Sequence, residues 1–132
     1  MASGKQIGEF SFKFITLITS PGPGGSVLRQ VTWEGPAAGF GTVFSTATYV
    51  GGKSGTFSDC ASAFLDNGEE RNSIGHGTYA STEKHRWHVE GIHQISDGRR
   101  ITSDGEIDLA ARSWKGKIFE TCLLYTSPSP RD

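Results

Sequence analysis

The chain has 132 residues, 35% of them hydrophobic, and its 13 basic and 14 acidic side chains give a formal net charge of −1. That length suits one core and leaves no room for a second, and near-neutrality removes any electrostatic reason to expect nucleic acid or an anionic membrane as partner. No apolar run approaches the roughly 18 residues of a membrane-spanning helix, and Met1 to Gln6 carry no apolar signal region, so a cytoplasmic protein is the expectation.

Period-two alternation between turn signals marks the elements. Phe10, Phe12 and Phe14 alternate with Glu9, Ser11 and Lys13, and Ile15, Leu17 and Ile18 extend the run. Ser20 to Gly25, with two prolines and three glycines, is a loop. Val27, Val31 and Trp33 form the next face, and Gly35-Pro36 is expected to break that strand. A strand rich in Phe, Thr, Val and Tyr runs from about Gly39 to Val50. Gly51 to Gly55 reads as a hairpin turn, and Thr56 to Leu65 follows with Phe57, Ala61, Ala63 and Leu65 on one face. A polar loop, Asp66 to Asn72, precedes a short Gly-rich strand from Ile74 to Ala80. His85 to Ser96 is the clearest strand, with Trp87, Val89, Gly91, His93 and Ile95 sharing a face. Ser96 to Arg99 is a tight hairpin; a strand ending in Ile107 and Leu109 follows, with Asp104-Gly105 read as a bulge, and Arg112 to Phe119 is the last strand. About eight strands with Gly-rich turns and no helical period predict an all-β antiparallel barrel, just wide enough for filling side chains or one small ligand.

The domain is read as residues 1–121. Cys122 to Asp132 resemble, over all eleven positions, the translation of a transposase-type sequencing adapter, and are expected to be an artefactual tail with the natural chain cut near Glu120 or Thr121. Such a cut is expected to leave the first strand partly unpaired. Cys60 then stands as the one cysteine of the domain and reads as a small buried hydrophobe.

Three segments carry a likeness to a known group: Tyr49-Val50-Gly51-Gly52-Lys53-Ser54-Gly55-Thr56-Phe57, Gly75-His76-Gly77-Thr78-Tyr79 and Gly105-Glu106-Ile107-Asp108-Leu109. In layout across most of residues 8–120 the chain resembles the allene oxide cyclase-like, calycin-like group of small barrels. The resemblance implies a closed antiparallel barrel with an apolar pocket, often in an oligomer, and, in members that are enzymes, an isomerase or cyclase that shapes a hydrophobic substrate. No catalytic residue is carried across on it.

Candidate site residues follow from which faces point inward. His93 shares the face of Trp87, Val89 and Ile95, and Asp59 that of Phe57, Ala61 and Leu65. Arg29 lies with Val27, Val31 and Trp33, and Arg112 with Trp114 and Ile118. If all these faces are interior, Asp59 or His93 serves as general base and an Arg steadies developing negative charge, because buried charges persist only when paired. Trp33, Tyr79 and Trp87 would line the ligand. The other reading puts a strand in the opposite register, or lets the arginine heads reach the barrel mouth. His88-x-Glu90 supplies two potential metal ligands with no evident third, so no metal or cofactor is expected; its plainer reading is a solvated outer face beside Gln94. The Gly-rich loops precede no helix, which argues against P-loop or Rossmann nucleotide binding, and Ser54 has no nucleophile-elbow context. Two functions remain: a barrel binding a hydrophobic small molecule, or a non-catalytic module with a packed core. A lumen of about 300 Å³ or more would separate them.

Overall fold

The structure, a computed structural model, describes residues 4–121; the proposed tail lies outside them. Eight strands follow in chain order: β1 (Gln6–Pro21), β2 (Val27–Ala37), β3 (Gly41–Gly51), β4 (Ser54–Phe64), β5 (Glu70–Glu83), β6 (Arg86–Ile95), β7 (Arg100–Asp108) and β8 (Ser113–Glu120). Each pairs antiparallel with its neighbours in sequence, and β8 returns to β1 to close the barrel. The one helical piece among them is a 3-10 turn, Pro23–Gly25, between β1 and β2. The expected all-β barrel is therefore the architecture.

Two expected interruptions are absent. β2 runs on through Gly35 and Pro36, where Pro36 is partnered by Thr42 of β3 and by no residue of β1. A proline tolerates such a position because one side of the strand asks for no N–H. Asp104 and Gly105 also sit in unbroken register, opposite Glu90 and Val89 on one side and Lys117 and Gly116 on the other. A third correction concerns Cys60, which is exposed, pointing away from the core that its neighbours Asp59 and Ala61 face.

The seam between β1 and β8 extends from Gln6 to Lys13, so residues near Glu120 do meet β1. It is the far half of β1 that has a single neighbour. Beyond Phe14 it pairs with β2 alone, after a bulge between Phe14 and Thr16. Ile15, Leu17 and Ile18 are exposed on this projecting ribbon.

The inward faces divide the lumen into two tiers. Toward the β3–β4 turn, buried aromatic rings pack against one another inside the barrel. Trp114 is the hub, edge-on to Phe10, Phe12, Trp33 and Phe57 at centroid distances of 5.5, 5.7, 5.7 and 6.0 Å. Edge-to-face contacts of this kind add to what area burial alone supplies. Tyr49 completes the tier, accepting a 3.2 Å hydrogen bond from the Trp33 indole N–H. The Tyr79 hydroxyl ties the tier to the turn by donating to Gly52 O at 3.2 Å.

Burial holds the Tyr49 phenol well above its ordinary value of 10.0, outweighing the Trp33 N–H that favours the phenolate. The sign of the linkage follows. The unfolded chain ionises this phenol from about pH 10 while the folded one does not. Its contribution is thus complete below pH 10 and is lost as pH rises, at about 1.4 kcal/mol per pH unit. Tyr49→Phe is expected to flatten this alkaline fall. Urea midpoints for both proteins between about pH 9 and pH 11 check it; equal slopes would remove Tyr49 as the cause.

Candidate functional site in the polar end of the lumen

The other tier opens toward the β2–β3, β4–β5 and β6–β7 turns. Here the pleat aims small and polar side chains inward. A cavity of about 80 Å³ remains, its apolar wall made by Phe10, Phe12, Phe40, Val43, Ile101 and Ile118 among others. On one side of it four polar groups converge. His93 Nε2 lies 2.8 Å from Ser103 Oγ. His93 Nδ1 lies 3.5 Å from Asp59 Oδ1. Ser45 donates its hydroxyl proton to Asp59 Oδ2 at 3.2 Å. Asp59 is 6% exposed and His93 8%.

This meeting has a local cause in the sheet. Asp59 on β4, Gly75 on β5 and His93 on β6 occupy one row of the ladder. Two side chains two strands apart ordinarily stand about 10 Å apart at their roots, twice the strand spacing. They meet because the strand between them presents no side chain: a methyl group at Gly75 would overlap both Asp59 Oδ1 and His93 Nδ1. Ser103 enters from β7, diagonal to His93, whose direct partner there is Ile101.

The cluster is not fully satisfied. Asp59 Oδ1 is buried and has no hydrogen-bond partner among the described residues, since its separation from His93 Nδ1 is long. A buried carboxylate oxygen left this way costs of the order of 1–3 kcal/mol or more, and such an orphan calls for a donor. Phe40, buried, is part of the cavity's lining. The Arg99 guanidinium stacks on its ring, 4.9 Å from the centroid. Asp97 organises the surrounding charges, contacting Arg99 Nε at 3.0 Å and Arg71 Nε at 3.5 Å. The Arg99 backbone N–H, with the guanidiniums beside it, holds the Asp97 carboxyl below the usual carboxylate range.

The residues singled out from the sequence separate into two places. Asp59 and His93 come together at the cavity. Trp33 and Tyr79 are buried in the aromatic tier, Trp87 is half-buried near its edge, and none of the three lines the cavity. Arg29 is exposed on the β1–β2 ribbon, opposite Tyr49. Arg112 is exposed in the β7–β8 turn, in a left-handed conformation (φ 53°), with its guanidinium donating to Leu109 O. Arg29 and Arg112 therefore do not join Asp59 and His93 at the cavity, as they would had all four faces been interior; the arginine that lines it is Arg71. Sequence reading passed over Ser45 and Ser103. Both were reachable, since alternation puts Ser45 on the face of Val43 and Ala47, and Ser103 on that of Ile101 and Ile107.

The fold and this lumen define the class: a closed eight-stranded antiparallel meander barrel, compatible in its buried aromatic cluster with ligand binding. Comparison with protein-family models, with curated proteins and with solved structures returns no match for this chain.

Proposed function

We propose that this chain is a small-ligand-binding barrel, and that its ligand sits in the polar end of the lumen with a hydrogen-bond donor on Asp59 Oδ1. The observation that carries the reading is that orphaned, buried carboxylate oxygen on the polar side of a cavity whose other wall is apolar. Such a site suits a compact alcohol or amine, with its polar head on Asp59, His93 and Ser103 and its apolar body against Phe10, Phe12 and Ile118. The cavity, at about 80 Å³, falls short of the roughly 300 Å³ that was to separate a ligand barrel from a packed module, so for any drug-sized ligand that measure favours the packed module. A bulky hydrophobic substrate would therefore require lining side chains such as Phe40 to move. The likeness to allene oxide cyclase-like barrels supports a lumenal ligand as fold analogy only, and the aromatic tier supports the rival view of a structural core for that half alone.

A second reading, catalysis, is favoured by one feature. Ser103 on Nε2 and Asp59 on Nδ1 place His93 as a base able to polarise a serine hydroxyl. Ser103 lies mid-strand, paired with both Gly91 of β6 and Ile118 of β8, so its neighbouring amides serve the ladder and do not offer the oxyanion donors that acyl transfer requires. Binding is the stronger reading.

The test is thermal unfolding of the chain against a series of small alcohols and amines of increasing length. A ligand specific to the folded state stabilises it by about 2.7 kcal/mol at one hundred times its dissociation constant. A concentration-dependent rise in Tm that peaks at a compact chain length and is lost in Asp59→Asn and Ser103→Ala is expected. A flat response across the series, with a cooperative melt, would reject the reading.

A further inference from the structure

The pleat that aims Val89 into the lumen turns His88 and Glu90 outward on β6. The register of β7 then sets Asp104 directly opposite Glu90. His88 Nε2 lies 2.7 Å from Asp104 Oδ1, and one ligand atom from each of His88, Glu90 and Asp104 lies within 4.8 Å of the others. All three residues are half-buried. We propose that these three side chains form a binding site for a divalent transition-metal ion on the outer wall of the barrel.

The geometry fits such an ion. Ligand atoms about 2.0–2.2 Å from one metal centre stand roughly 3–4.4 Å from one another, so the His88–Asp104 contact, at 2.7 Å, has to open slightly while any wider separation, up to 4.8 Å, closes. The donor set, one imidazole nitrogen and two carboxylates, suits zinc, manganese, iron or cobalt, whereas magnesium and calcium take oxygen ligands.

Like charges directly opposite in an antiparallel ladder destabilise it, and Glu90 faces Asp104 in that way, with Glu106 opposite His88 adding a further carboxylate. Arg86 is engaged by Glu106 and Asp108, at 2.6 and 3.9 Å. Lys117, across from Asp104 on β8, is exposed. One divalent ion would be held by both carboxylates, with the His88 imidazole as its third ligand. Three protein ligands on a solvent-facing sheet leave coordination positions open to water or to an anionic group. The site looks away from the lumen and stands or falls apart from the binding reading there.

The experiment uses the full chain without a histidine tag. Zinc is titrated by calorimetry, and manganese is added in a separate NMR experiment to read paramagnetic broadening. One saturable zinc site is expected, weakened about tenfold or more in both His88→Ala and Asp104→Asn but unchanged in His76→Ala, a control histidine on β5. Manganese should selectively broaden the amides of residues 88–90 and 104 in the unsubstituted protein, a readout that needs no variant to fold. Absence of saturable zinc binding at millimolar concentration, binding that survives both substitutions, or binding lost in His76→Ala would overturn the proposal.

Discussion

Gly75→Ala is expected to destabilise the protein by about 1–3 kcal/mol, the range for forcing an extra methyl into a well-packed interior, and to abolish any ligand response of the lumen. The methyl group would stand where Asp59 Oδ1 and His93 Nδ1 now approach each other, so the two side chains must part or the β4–β5–β6 ladder must shift. Backbone strain offers an alternative source for the same loss. The two are separated by repeating the substitution in an Asp59→Ala/His93→Ala background, where the overlapping atoms are gone. Sites in contact couple in such a cycle and independent ones add. The urea midpoint should then fall far less on adding the methyl group. An undiminished fall would place the cost in the strand and leave the site without its proposed keystone.

The second large effect belongs to the aromatic tier. Trp114 is 2% exposed and touches four other rings. Trp114→Ala should cost about 3–5 kcal/mol, the range for truncating a buried aromatic, against a total stability that in domains is about 5–15 kcal/mol. Trp114→Phe should cost much less, for a specific reason. The indole N–H of Trp114 is buried without a hydrogen-bond partner among the described residues, so phenylalanine removes a penalty along with part of the packing. Urea unfolding at constant m-value measures both. If the two substitutions cost the same, the indole N–H has a partner and the ring contacts are not what makes the residue matter.

Alternation of apolar and polar residues was enough to read the barrel because each strand has one dry face and one wet face, and in a meander the wet and dry faces keep their order. What it could not read was what neighbouring strands supply. Pro36 looks like a breaker until β2 is seen to pair there with β3 alone. Gly105 looks like a kink until it is seen opposite Val89 and Gly116, where no side chain is wanted. Arg29 and Arg112 have the parity of lumen residues, yet parity says nothing about height along the barrel axis. Arg29 belongs to a ribbon beyond the closed part, and Arg112 to a turn whose left-handed backbone ends the alternation. The same limit hid both clusters. Asp59 and His93 were visible singly, but their contact depends on Gly75 lying in the same row. His88 and Glu90 were visible as a pair, but Asp104 reaches them through register.

The strand order has a consequence for how the chain reaches this structure. Seven of the eight seams join strands consecutive in the chain and can form as local hairpins, each closing a short loop. The eighth, β1 with β8, brings Gln6 to Phe119. Its entropic cost grows only logarithmically with the length of chain enclosed, but it is incurred before any ring of the aromatic tier is surrounded, because Phe10 and Phe12 enter from one side of the seam and Trp114 from the other. Closure of the seam and burial of the hub are one event, and a polypeptide with every hairpin formed but the seam open would be a curled sheet with its heaviest side chains in water. The closure of this barrel thus rests on a single pair of strands at opposite ends of the described chain.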